Sequence, residues 1–217
     1  MIVLRTSSFS SHSNYARVRD LVCHTVVALV IIPILLPNAV AQFVQQGGKL
    51  VGTGAVGVAA QGYSVGLSAD GNTAIVGGSY DNNYAGAAWV FTRSGGVWTQ
   101  QGSKLVGTGA VGSAEQGWSV GLSADGNTAI LGGLCDNGGA CATDGAVGAA
   151  WVFTRSGSVW TQQGNKLVGT GAVLSRQGFS VALSADGNTA MVGGNHDNNG
   201  VGAAWVDRKS TRLNSSH

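Results

Sequence analysis

Three observations on this 217-residue sequence predict an all-β fold made of β-propeller blades, each a four-stranded antiparallel meander. One unit recurs about three times at spacings of 55 and 62 residues. That length suits a blade better than a coil of the alternative repeat architecture, the stacked β-solenoid. Turn signals then cut each unit into four short strand-like runs. Finally, no ten-residue stretch between the two ends of the chain keeps a helical period without an interrupting glycine.

The elements follow in order within the first unit. Tyr63 to Ser68 alternates its side chains in period 2 and meets Asp70-Gly71, a strong hairpin signal. Thr73 to Val76 runs back and ends at Gly77-Gly78. A loop around Asp81-Asn82-Asn83 leads to a third strand over Ala87 to Thr92, and Ser94-Gly95-Gly96 turns it into a fourth over Val97 to Gln101. The copies are close. Lys49-Leu50-Val51-Gly52-Thr53-Gly54-Ala55-Val56 returns from Lys104 and from Lys166. Gln61-Gly62-Tyr63-Ser64-Val65 returns as Gln116-Gly117-Trp118-Ser119-Val120 and Gln177-Gly178-Phe179-Ser180-Val181. Leu67 to Ala74 is repeated unchanged from Leu122 and Leu183. Phe43-Val44-Gln45-Gln46 stands where Trp98-Thr99-Gln100-Gln101 and Trp160-Thr161-Gln162-Gln163 stand later. The repeats thus fill 42–206, in units of about 43–97, 98–159 and 160–206.

These motifs resemble the FG-GAP repeats, the blades of integrin α-subunit propellers and of many secreted bacterial proteins. Gly62-Tyr63-Ser64-Val65 and its copies stand for the FG part. Val76-Gly77-Gly78-Ser79 stands for the GAP part, and Ala87-Ala88-Trp89-Val90-Phe91 for the aromatic strand that follows. The resemblance implies a seven-bladed propeller in an extracytoplasmic protein that serves adhesion or ligand binding, with no shared catalytic activity. Three units are too few to close a ring of the usual four to eight blades. The expectation is a fragment of a larger propeller; the alternatives are several chains assembling or an open array.

Both ends of the chain read differently from the middle. Arg5, Arg17 and Arg19 precede an apolar run from Leu21 to Leu36, and Ala39-Val40-Ala41 matches the small-x-small pattern of signal peptidase. Residues 1–41 are therefore expected to be an export leader cleaved before Gln42. A membrane anchor is the alternative, but the run falls short of the roughly 20 apolar residues of a span. At the other end Ala204-Trp205-Val206 opens a third copy of the aromatic strand and then departs from it at Asp207. Residues 207–217 are read as a non-native tail outside the fold. Without these ends the chain carries six Lys+Arg and eight Asp+Glu, so no basic stripe exists to neutralise nucleic-acid phosphates.

A meander places its turns at opposite ends of the blade, and this sorts the candidate residues. The Asp70-Gly71 turns lie at one end; the Asp81 loops and the segments joining the units lie at the other. The second end carries the differences between copies, so Tyr80, Asp81, Asn82, Tyr84, Asp136, His196 and Asp197 are the expected binding residues. A calcium ion needs 6–8 oxygens, and integrin FG-GAP loops supply them between the first two strands. Here Asp70, Asp125 and Asp186 each bring one carboxylate in a turn too short to wrap an ion, where an Asp bonding its own backbone is the competing reading. No cofactor is otherwise expected. Cys135 and Cys141 share the insertion of the second unit, where a loop disulfide competes with two free thiols.

No nucleophile elbow, zinc spacing or phosphate loop occurs, which argues against an enzyme within 42–206. The expected function is a secreted or cell-surface, non-catalytic surface for an extracellular protein or glycan, with no membrane span after cleavage. The alternative is the propeller module of a longer secreted enzyme. An oligomer is expected only if the chain truly holds three repeats.

Overall fold

The computed structural model describes residues 42–138 and 145–210. The leader expected over 1–41, Cys141 and the tail from 211 onward lie outside the described residues. Three antiparallel sheets carry the fold. The first joins β1 (Ser64–Leu67), β2 (Thr73–Gly78), β3 (Ala87–Ser94) and β4 (Val97–Gln100) in that order. The second repeats it with β5 (Ser119–Leu122), β6 (Thr128–Gly133), β7 (Ala149–Ser156) and β8 (Val159–Gln162). The third has β9 (Ser180–Leu183), β10 (Thr189–Gly194) and β11 (Ala203–Arg208). These are three consecutive β-propeller blades in an open array.

Each blade is glued to the next by its two faces. Period 2 puts Val120 and Leu122 on the front of the second blade, and they pack with Leu131, Trp151 and Phe153. The same cluster takes in Ile75, Ala88 and Val90 from the back of the first blade. The seam between the second and third blades repeats this, with Val181, Leu183 and Val192 against Ile130, Ala150 and Val152. Backbone bonds reinforce the seams: Ala69 N–H donates to Ala124 O and Ala124 N–H to Ala185 O, both at 2.9 Å. The approach is close enough to require glycine. A Cβ on Gly77 would lie 2.1 Å from Gly117 O of the next blade, and β2 accordingly runs through Gly77-Gly78 where the sequence suggests it stops at Val76.

The segment that joins the units is also part of the blade. Trp89 and Trp151 are fully buried, and each indole N–H donates at 2.8 Å to the carbonyl of Thr53 or Thr108. Gly52 lies flat on the Trp89 indole, where a Cβ would meet Cδ1 at 2.0 Å. The amide of Gln61 completes the clamp, accepting from Gly52 N–H at 2.6 Å and donating to Gly52 O at 2.8 Å. Gln116, itself buried, does the same for Gly107.

The strands cross three of the expected boundaries. The unit limits at 97/98 and 159/160 fall inside β4 and β8, because the tight turn pairs Val97 with Ser94 and Val159 with Ser156. The start of the repeat in sequence is therefore not the start of a sheet. The third sheet also runs past the limit expected at Asp207. β11 continues in register through Arg208, with Thr189 opposite Arg208, and Lys209 N–H donates to Asn188 O at 2.9 Å. A ladder is made by the backbone, so it tolerates a change of side chains. The side chains do feel it: Asp207 occupies the place of buried Phe91 and Phe153, and a cavity of about 240 Å³ opens beside it.

Candidate functional site

Two aspartates recur in every unit, and their surroundings differ. In the Ser68 to Thr73 turn, Asp70 Oδ1 accepts from Ser68 Oγ at 2.5 Å and from Asn72 N–H at 2.9 Å. Its Oδ2 accepts from Asn72 Nδ2 at 3.0 Å. These bonds, led by that of the Ser68 hydroxyl, lower the Asp70 carboxyl to about 2. Asp125 and Asp186 repeat the pattern and are lowered by the same causes. Both oxygens of each carboxylate are thus engaged by the turn itself. Among the described residues no group of three or more His, Cys, Asp or Glu gathers to hold a metal.

Asp81 and Asp136, expected on the binding face, turn inward instead and are wholly buried. Asp81 Oδ1 accepts from Val56 N–H at 2.7 Å, while Oδ2 pairs with Lys104 Nζ. Asp136 holds Val111 N–H at 2.8 Å and pairs with Lys166. Asp197 takes Val173 N–H at 2.8 Å, is only half-buried, and has no lysine on it among the described residues. The residues after the aspartate explain its direction. Asn82, Asn83 and Tyr84 all have positive φ, of 50°, 55° and 66°, which makes one left-handed turn that swings Asp81 toward the joining segment. Asn tolerates this region readily, whereas Tyr enters it only with strain. Asn82 keeps an exposed side chain while its N–H donates to Val56 O at 2.9 Å.

The remaining candidates gather into an aromatic row. Tyr63, Trp118 and Phe179 stand just before the first strand of their blades, so the blade repeat lines them up. Tyr63 and Trp118 have ring centroids 4.6 Å apart, and Trp118 and Phe179 6.2 Å. Tyr80 extends the row 6.0 Å from Tyr63, and Tyr84 lies 4.9 Å from Tyr80. Tyr63, Tyr84 and Phe179 are 43%, 50% and 41% exposed, an unusual display for five contiguous aromatic rings. His196 occupies the Tyr80 position of the third blade: its N–H donates to Ser175 O at 3.3 Å as Tyr80 N–H does to Ala59 O. Cys135, which holds this position in the second blade, is buried and disulfide-bonded.

Glu115, the one glutamate of the chain, borders the row. Burial raises its carboxyl pKa. The Tyr63 hydroxyl is raised too, by its own burial first and then by the nearby Tyr80 and Glu115. Sequence reasoning assigned Tyr63, Trp118 and Phe179 to a repeat motif and passed over Glu115. The available signal was that the residue after Gly62, Gly117 and Gly178 is aromatic in every copy yet never the same.

No family model and no curated protein matches the chain. Among solved structures, that titled "Crystal structure of the tricorn protease" aligns over 60% of this chain and 11% of its own, with 13% identity and a TM-score of 0.35. Kuenenia stuttgartiensis hydrazine synthase aligns over 67% of this chain and 45% of its own, with 15% identity and a TM-score of 0.27. The chain thus spans less than half the length of either neighbour.

Proposed function

We propose that this chain is an exported, FG-GAP-type propeller segment that binds glycan through its aromatic row and performs no catalysis. The observation that carries the reading is the contiguity of Tyr84, Tyr80, Tyr63, Trp118 and Phe179 across three blades. Rings that are apolar on the face and, for Tyr and Trp, polar at the tip suit a ligand with both characters. Little charge surrounds them, and Glu115 with the tyrosine hydroxyls supplies hydrogen-bond partners, which favours an uncharged polyhydroxylated chain over an acidic or basic protein. Tyr84 supports a binding role from another side. It holds a left-handed φ of 66°, where the third blade has Gly200, at a cost of about 1 kcal/mol for a side chain in this region. Export is supported by the leader-like residues 1–41 and by the disulfide of Cys135, since disulfides persist in oxidising compartments.

The test is a titration of the protein's tryptophan fluorescence with neutral oligosaccharides of increasing length. Saturable quenching is expected, with affinity rising with length and falling about tenfold or more in Trp118→Ala. A flat response to every glycan removes the reading. Binding of an extracellular protein that Trp118→Ala abolishes would keep the surface and replace the ligand.

A further inference from the structure

We propose that the glycan bound by the aromatic row carries a free primary amine, as a 2-amino sugar does, and that Glu115 receives it as the ammonium ion. The inference rests on the glycan reading above and names the class of sugar within it. It starts from the place of Glu115 in the blade. The residue before the clamping glutamine is Ala60 in the first blade, Glu115 in the second and Arg176 in the third. All three have a left-handed backbone, with φ of 52°, 56° and 51°. Each carbonyl accepts at 3.2 Å from the N–H of the ring residue three positions on, Tyr63, Trp118 or Phe179. The first blade builds this turn with nothing larger than the Ala60 methyl group. The turn itself therefore has no need of a carboxylate.

Glu115 is nonetheless fixed among the rings. Its N–H donates to Tyr84 O at 2.8 Å, its carbonyl holds the Trp118 N–H, and its charge is felt by the Tyr63 hydroxyl. The residue is 9% exposed, yet its carboxylate makes no hydrogen bond and no ion pair to any described residue. The recurring aspartates behave otherwise. Asp70 is held by Ser68 and Asn72, and Asp81 by Val56 and Lys104. Nor is the Glu115 carboxylate sealed off. Among the described residues the one side-chain polar atom that is both wholly buried and unpartnered is Ser79 Oγ, so the Glu115 oxygens keep contact with solvent. A ligand can reach them.

A carboxylate that has lost most of its water and gained no donor is destabilised in its charged form. Burial accordingly raises its pKa, with no nearby cation acting the other way. The site lacks two things, a positive charge and N–H donors, and a primary ammonium brings both. A quaternary ammonium brings the charge without a donor. A hydroxyl brings a donor without the charge, and its bond to a carboxylate is the weaker for it. Aromatic rings beside the carboxylate also favour a cation. The uncharged part of the glycan still has the row to lie on, so the amine adds an anchor at one residue.

The experiment titrates the full chain, near neutral pH, with oligomers of one length built from glucose, from glucosamine or from N-acetylglucosamine. The parent is expected to bind the glucosamine oligomer about tenfold more tightly than either of the others, since acetylation removes the charge and keeps the sugar. Glu115→Gln retains the size of the side chain and is expected to bring that ratio to about one. Glu115→Ala, which copies Ala60 of the first blade, is expected to do the same with an unchanged far-ultraviolet circular dichroism spectrum. Equal binding of all three oligomers by the parent overturns the inference and leaves the glycan reading standing. A preference for the amine that survives both substitutions overturns it too, because the ammonium then sits elsewhere. If none of the three binds, the glycan reading fails and the inference fails with it.

Discussion

Asp70 and Asp81 stand eleven residues apart in the same unit, and each closes the end of a strand. One sits in solvent and serves its own turn, fastened to Ser68 and Asn72. The other is buried and serves a distant segment, fastened to Val56 and Lys104. The contrast teaches that recurrence of a carboxylate marks structural necessity without saying which kind. A local Asx turn is complete within a few residues and tolerates water. A buried carboxylate has lost its hydration and depends on every partner it retains.

Breaking the buried side of this comparison has the largest effect. Lys104→Met leaves Asp81 without its counter-charge, which is expected to destabilise the fold by about 3 kcal/mol. Equilibrium urea unfolding measures it, and a loss below about 1 kcal/mol would show that Asp81 does not depend on the lysine. The third blade sharpens the point, since Asp197 holds Val173 N–H without a lysine and is only half-buried. Asp197→Asn is expected to cost about 1 kcal/mol, near the value of one hydrogen bond. A cost equal to that of Lys104→Met would remove the distinction that burial makes.

The exposed side is best broken with acid. The folded-state pKa of Asp70 is about 2, below the unfolded value of about 3.9. Its contribution is therefore present above about pH 4 and is lost as the pH falls through about 2. Asp125 and Asp186 are displaced in the same direction. Replacing all three with Asn is expected to lower the melting temperature at pH 7, where the ionised carboxylates contribute, and to flatten its decline between pH 4 and pH 2. An undiminished decline in the triple variant would show that these turn carboxylates are not the source of the acid sensitivity.

Much of the fold was legible because its signals are local. Asp70-Gly71 and Ser94-Gly95-Gly96 announce turns, the alternation from Tyr63 to Ser68 announces a half-buried strand, and identical copies demand identical structure. The site was legible only in outline. Tyr80 and Tyr84 were singled out from the variation between copies and adjoin the row, while Asp81 and Asp136, singled out with them, are aimed inward by a left-handed Asn turn. The aromatic row escaped because its members are about 55 and 61 residues apart and meet only when successive blades stack.

The sequence by itself determined the all-β class, the four-stranded meander, the number of units and the ends of the blade at which each loop lies. Hydrogen-bonding turns and period-2 alternation act over a few residues, so the chain states them directly. Only the tertiary structure decided which aspartate is buried, which glycines are pressed against a neighbouring blade, and which aromatic rings stay in view. Those properties depend on what the adjacent blade covers. The same Val-x-Leu pair is core in Val120 and Leu122 and surface in Val65 and Leu67, because burial belongs to the neighbour as much as to the residue.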